Sequence, residues 1–225
     1  MRKKVALFGD SILKGIVYND NHYTVNREIN WEMIENELNI DLDNQSKMGI
    51  RAEKGKERII KYIEKHPDLD VMVLEFGGND SDYDWAEVAQ NKSKDHNPFT
   101  LLEDFKEEMI SIITLLREYG IRPILMTLPP IDPKRYYTLI TSKTLDTNHN
   151  IMYFLGDVEI IYRRQELYSN AIFDIARVYN VEIVDVRKKY LESADFNNLI
   201  CDDGIHPNQF GQNIIIDTFI EYFKN

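Results

Sequence analysis

Apolar residues along this chain fall into two rhythms. Four short blocks, KKVALF (3–8), DVMVLEFG (70–77), RPILMTL (122–128) and VEIVDV (181–186), are dense in Val, Ile, Leu and Phe without regular polar alternation. That is the pattern of strands covered on both faces. A fifth block, IDLDNQS (40–46), is polar enough for an edge strand. Between the blocks, apolar positions recur at steps of three and four over 30–38, 53–65, 101–119, 157–179 and 208–223, which predicts helices. In the third of these, Leu102, Phe105, Met109, Ile112, Ile113 and Leu116 share one face. Strands separated by helices pair in parallel. The pattern therefore predicts an α/β chain, a three-layer α/β/α doubly wound domain with a mostly parallel five-stranded sheet in the flavodoxin-like order 2-1-3-4-5. Residues 1–225 read as a single domain with long loop insertions at about 79–100 and 129–156.

Composition narrows the function classes. Hydrophobic residues make up 43% and charged residues 29% of 225 positions, so the chain can bury a sizeable core and is not a disordered one. A formal net charge of −11 opposes binding to nucleic acid or to an anionic membrane, and the pairs Lys3-Lys4 and Arg163-Arg164 are too short to form a compensating patch. The apolar run after MRKK is too short for a signal peptide or a membrane-inserting segment. A single cysteine, Cys201, rules out an intramolecular disulfide and suits a reducing compartment, so the expected location is cytoplasmic. Cys201 itself reads as a small buried side chain. His22, His66, His96 and His149 are scattered without the spacing of a zinc site and read as surface residues; no metal and no other cofactor is expected. Oligomeric state cannot be read from the chain.

The chemistry gathers where the strands end. In order 2-1-3 the ligand crevice opens between strands 1 and 3 at their carboxyl ends. Strand 1 runs out at Gly9-Asp10-Ser11, strand 2 at NQSKMG with Gly49, and strand 3 at FGGND with Asn79, so Ser11, Gly49 and Asn79 would meet at one edge. A serine hydroxyl needs a base to become a nucleophile. CDDGIHPNQF supplies His206, held out of helical geometry by Pro207, which itself suits the first turn of the last helix. Asp203 lies three residues earlier and could accept a hydrogen bond from one ring nitrogen, leaving the other for Ser11; the neighbouring Asp202 is a second candidate. The backbone N–H groups of Ser11 and Gly49 and the side-chain amide of Asn79 could donate to a developing oxyanion. Asp10 is a candidate substrate contact, although an Asp at that place more commonly anchors a turn, and Asp80 reads as a loop anchor in the same way. Tyr83, Trp85, Tyr136, Tyr137 and Phe154, carried by the two insertions, would overhang the crevice as substrate contacts.

GDSI (9–12), NQSKMG (44–49), GGND (77–80) and DGIH (203–206) resemble, in order, the four blocks of the SGNH hydrolases, the GDSL esterases and lipases. Ile12 replaces the leucine of the first block, and the glycine block is the loosest match. The resemblance implies a serine esterase working through an acyl-enzyme on a small-molecule ester, with Ser11 as nucleophile, His206 as base, Asp203 rather than Asp202 as its partner, and Ser11, Gly49 and Asn79 as oxyanion donors. The absence of a long apolar lid helix and the acidic composition lean toward small soluble esters such as acetylated carbohydrates or short-chain acyl esters. Two other classes compete: a metal phosphoesterase using Asp10, Asn79, Asp203 and His206 as hard ligands, and a non-catalytic flavodoxin-like binding module. The second lacks a glycine-rich phosphate loop after strand 1.

Overall fold

The structure, a computed structural model, describes residues 2–93, 95–142 and 147–224. Five parallel strands, β1 (Lys3–Gly9), β4 (Ile40–Asn44), β5 (Val71–Glu75), β6 (Arg122–Met126) and β7 (Glu182–Val184), form one sheet in the order β4-β1-β5-β6-β7. Counted along the parallel strands alone, this is the expected 2-1-3-4-5. Side chains alternate across the sheet, so each strand feeds two cores. Ala6, Phe8, Met72, Leu74 and Leu125 face α2 (Ala52–Ile63), α4 (Leu102–Glu118) and α7 (Ile160–Tyr179). Val5, Leu7, Val71, Val73, Ile124 and Met126 face α1 (Trp31–Leu38), α8 (Val186–Glu192) and α9 (Gln209–Lys224). The predicted face of α4 is the buried one, with Phe105, Met109, Ile112, Ile113 and Leu116 all at 0% exposure. Each such side chain contributes about 1.5–3 kcal/mol by leaving water.

Three departures from the sequence pattern bear on the site. Residues 16–25 form an antiparallel hairpin, β2 (Ile16–Asn19) and β3 (His22–Val25), closed by Asp20 and Asn21 at φ 50° and 61°. Two consecutive positive φ values give the type I′ loop that matches strand twist. The insertions are not loops: they hold α3 (Trp85–Gln90), α5 (Pro133–Thr141) and α6 (Thr147–Leu155). Asp84 caps α3 by accepting from the N–H groups of Ala86 and Glu87, and Asp132 caps α5 through those of Lys134 and Arg135, with Pro133 at the first helical position. These helices share a third, smaller apolar cluster that includes Tyr83, Val88, Tyr136, Ile151 and Phe154. Finally, Pro207 precedes the last helix rather than entering it, because Asn208 is the residue whose side chain accepts from the N–H groups of Phe210 and Gly211.

Candidate active site

Strand β1 ends in a turn built by Asp10. Its carboxylate accepts from the Ile12 N–H at 2.8 Å, and the Lys14 N–H returns to the Asp10 carbonyl at 3.1 Å. Asp10 is 1% exposed, so its side chain serves the turn. The turn leaves Ser11 at the sheet edge, where the chain beyond β4 follows β1 past its end, the Lys47 N–H donating to the Gly9 carbonyl. That pairing delivers Gly49 to the same edge, and the loop beyond β5 delivers Asn79.

The DGIH loop closes the arrangement from the far end of the chain. Asp203 is fully buried; one carboxylate oxygen accepts from the backbone N–H groups of Ile205 and His206 at 3.1 Å each. Its other oxygen lies 2.5 Å from His206 Nδ1, and His206 Nε2 lies 2.8 Å from Ser11 Oγ. Asp202 points to solvent, as its exposure shows. Tyr23, on the hairpin, covers the imidazole from outside with ring centroids 5.2 Å apart. Asn79 Nδ2 donates one hydrogen bond to the Asp10 carboxylate at 2.8 Å, which orients the amide and leaves its second N–H for another acceptor. Asp80 anchors its loop as expected, accepting from the Ala52 N–H and from Thr100 Oγ1.

Below Ser11 lies an acid that the sequence reading did not single out. Glu75, the last residue of β5, is fully buried and accepts from the Asp10 N–H at 3.2 Å. Burial, and next the charge of Asp10, hold its carboxyl well above the ordinary range. Burial also raises Asp10, and it pushes Asp80 up to about 6. A side chain at position 9 would lie 2.8 Å from both the Glu75 carbonyl and its carboxyl, so the glycine of the GDS block is required by Glu75. The only sequence signal was a glutamate ending an otherwise apolar strand.

Two spaces meet at Ser11 and His206. One is a small chamber of about 100 Å³, walled by Ile12, Leu128, Pro129, Ile131, Ile161 and Ile205. The other is an open groove of about 950 Å³ that includes Gly49, Tyr23 and Met48. Tyr83, Trp85 and Tyr136 reach the chamber, and Trp85 and Tyr136 also border the groove. Asp82 fixes the last two, accepting from Trp85 Nε1 at 2.7 Å and Tyr136 OH at 2.6 Å. Tyr137 and Phe154 do not line either space. They pack in the cluster behind it, Phe154 against Tyr83 and Trp85, because the insertions needed an apolar core of their own. His96 is likewise no surface residue: its ring lies edge-on to Phe154 at 5.0 Å, with its side chain 4% exposed. Cys201 is buried. The four hard-ligand residues Asp10, Asn79, Asp203 and His206 bond to one another or to the backbone, and among the described residues no three His, Cys, Asp or Glu side chains gather closely enough to hold a metal ion. No described helix is long and apolar enough to cross a membrane.

No curated protein sequence matches the chain. Solved structures similar in fold include a lipase/acylhydrolase from Enterococcus faecalis, 21% identical, with TM-score 0.70 over 100% of this chain and 96% of that one. An acetylxylan esterase from Geobacillus stearothermophilus is 15% identical, with TM-score 0.65 over 98% and 94%. The psychrotrophic esterase EstA from Pseudoalteromonas, solved with monoethylphosphonate as inhibitor, is 14% identical, with TM-score 0.62 over 99% and 97%. Residues 7–214, nearly the whole length and all four blocks, match the model of the GDSL-like lipase/acylhydrolase family, and the chain belongs to that family of SGNH ester hydrolases.

Proposed function

We propose that this hydrolase cleaves short-chain acyl esters of larger polar alcohols through an acyl-enzyme on Ser11. The observation that carries the reading is the chain of contacts from Asp203 through His206 to Ser11, 2.5 Å and then 2.8 Å, at the mouth of the small chamber. In this reading the acyl group enters the chamber and the alcohol lies in the groove. Ser11 Oγ attacks the ester carbonyl while its proton passes to His206 Nε2. Asp203, buried and held by two backbone N–H groups, keeps Nδ1 protonated and stabilises the imidazolium that forms. The carbonyl oxygen gains negative charge and takes donors from the Ser11 and Gly49 backbone and from the free N–H of Asn79. Collapse breaks the ester C–O bond, and His206 returns the proton to the departing alkoxide. Water then repeats the attack on the acyl-serine, its proton again going to His206, and frees the acid and Ser11.

Chamber size supports a short acyl group, and the volume of the groove leaves room for a sugar, the alcohol side implied by the name of the acetylxylan esterase of similar fold. The test is an ethyl phosphonate label followed by intact mass, run beside p-nitrophenyl esters of graded acyl length. The wild-type protein should take one label, and turnover should fall as the acyl chain outgrows the chamber. Ser11→Ala should lose both label and turnover while keeping its melting temperature. Stoichiometric labelling of Ser11→Ala would exclude Ser11 as the nucleophile.

A further inference from the structure

The chamber contains one cation whose presence the reaction above does not explain. Arg164, on the inner side of α7, reaches the same chamber as Ser11 and His206. Its guanidinium carbon lies 4.7 Å from the Tyr83 ring centroid and 4.4 Å from that of Phe154, so the group is clamped between aromatic faces from the two insertions. Arg164 as a whole is half-buried; its Nη1 is buried and has no hydrogen-bond partner, and no ion pair joins it to another described residue.

No acid of the chamber forms an ion pair with it. Asp82 is taken by Trp85 and Tyr136 and Asp10 by Ile12 and Asn79, while Glu75 accepts from the Asp10 N–H through one oxygen and its other oxygen is buried without a hydrogen-bond partner. The neighbours of Arg164 along the helix are satisfied too: Arg163 pairs with Asp157, and Gln165 donates to the Pro129 carbonyl and accepts from Arg187. A buried guanidinium nitrogen without an acceptor is costly, and a carboxylate is its best-matched partner in both charge and shape. In a chain of net charge −11, an arginine left unpaired inside the substrate chamber is positioned for a ligand rather than for the fold.

Resting on the acyl-enzyme reading of Ser11, we propose that the chamber selects acyl groups that end in an anion, half-esters of short dicarboxylic acids being the simplest, with Arg164 receiving the distal carboxylate. The neutral walls contributed by Ile12, Leu128, Ile131 and Ile161 would hold the methylenes between. Arg164 then sets specificity without touching the reacting carbonyl.

The experiment compares monoethyl succinate and monoethyl glutarate with the ethyl esters of the corresponding mono-amides, which match them in size but carry no charge, and includes p-nitrophenyl acetate as a control. Hydrolysis is followed by pH-stat in the wild-type protein and in Arg164→Gln. The quantity read is the ratio of kcat/KM for half-ester over mono-amide, which does not depend on the folded fraction. For at least one chain length the wild-type ratio should be about ten to a hundred, as for a charge-assisted hydrogen bond, and it should fall to about one or below in Arg164→Gln. A wild-type ratio near one at both lengths, or a high ratio that survives Arg164→Gln, overturns the proposal while p-nitrophenyl acetate turnover leaves the esterase reading standing. No turnover of any of these esters by wild-type protein overturns that reading, and the Arg164 proposal with it.

Discussion

Asn79 and Glu75 show how much a single side chain depends on its neighbour at this site. The Asn79 amide is held by Asp10, so its free N–H points by default rather than by chance. If that N–H acts on the oxyanion, Asn79→Ala should lower kcat by roughly 10²- to 10³-fold with little change in KM. Asn79→Asp should be at least as damaging, because it sets a second carboxyl against Asp10 and cannot donate when ionised. Near-normal kcat in Asn79→Asp would remove Asn79 from the oxyanion hole. Glu75 makes a different prediction, on stability. Its proton is retained in the fold at pH values where the unfolded chain, with a carboxyl near 4.5, has lost it. Unfolding then releases a proton, so stability is greatest at low pH as far as this group is concerned and declines as pH rises above about 4.5 toward the raised value. Glu75→Gln keeps the shape without the ionisation. Melting temperatures followed from pH 5 to 9 should decline less steeply in that variant than in the wild type, and parallel curves would show that Glu75 ionises in the fold as it does in the unfolded chain.

At the scale of elements, the insertions do more than decorate the crevice. The capped end of α5 lies directly on the DGIH loop: the Asp132 N–H donates to the Gly204 carbonyl at 2.8 Å, and Arg135 donates to the carbonyls of Ile200 and Asn197 at 2.7 and 3.0 Å. Gly204 sits at φ 79°, and a side chain there would meet the Tyr136 backbone nitrogen at 2.4 Å and the Asp132 carbonyl at 2.5 Å. Only glycine satisfies both the angle and the approach. Gly204→Ala should therefore separate α5 from the loop that carries His206, lowering the melting temperature and, in the molecules that remain folded, kcat as well. A stable variant with unaltered kcat would mean that α5 does not position His206. The hairpin of β2 and β3 acts from the other side, where Tyr23 leans on the same imidazole.

For the molecule as a whole, the open question is whether the insertions form a unit of their own. Their cluster of Tyr83, Val88, Tyr136, Ile151 and Phe154 is separate from the two cores that sandwich the sheet. We expect one domain nonetheless, because Gly204, Arg135 and the packing of α5 on α7 tie that cluster to the main body, and a cluster of this size cannot offset its own chain entropy. Calorimetry should show one transition whose van't Hoff and calorimetric enthalpies agree. Two resolved transitions would make the insertions an independent unit.

The strand blocks, the period of the long helices and the strand order were legible in the chain, because a two-sided sheet demands uninterrupted apolar runs and a helix against it demands a three-to-four repeat. Ser11 and His206 were legible as candidates, since strand ends in a doubly wound sheet lie at known places and Pro207 marks a loop, and Asp203 was chosen over Asp202 only by resemblance to the DGIH block. The hairpin and the insertion helices were under-read, although Asn-Asp-Asn at 19–21, the Asp84 to Glu87 spacing and Asp132-Pro133 are local signals of turn and cap. Other features had no local signal at all. That Asp202 faces water while Asp203 is buried, that Phe154 packs in the insertions' core rather than lining the chamber, that Glu75 lies beneath Asp10 and that Arg164 lines the same chamber as Ser11 depend on segments tens to hundreds of residues apart. Periodicity and turn chemistry act over a few residues and can be read from them. Burial, charge pairing and cavity shape belong to the packed tertiary structure, which alone decides them.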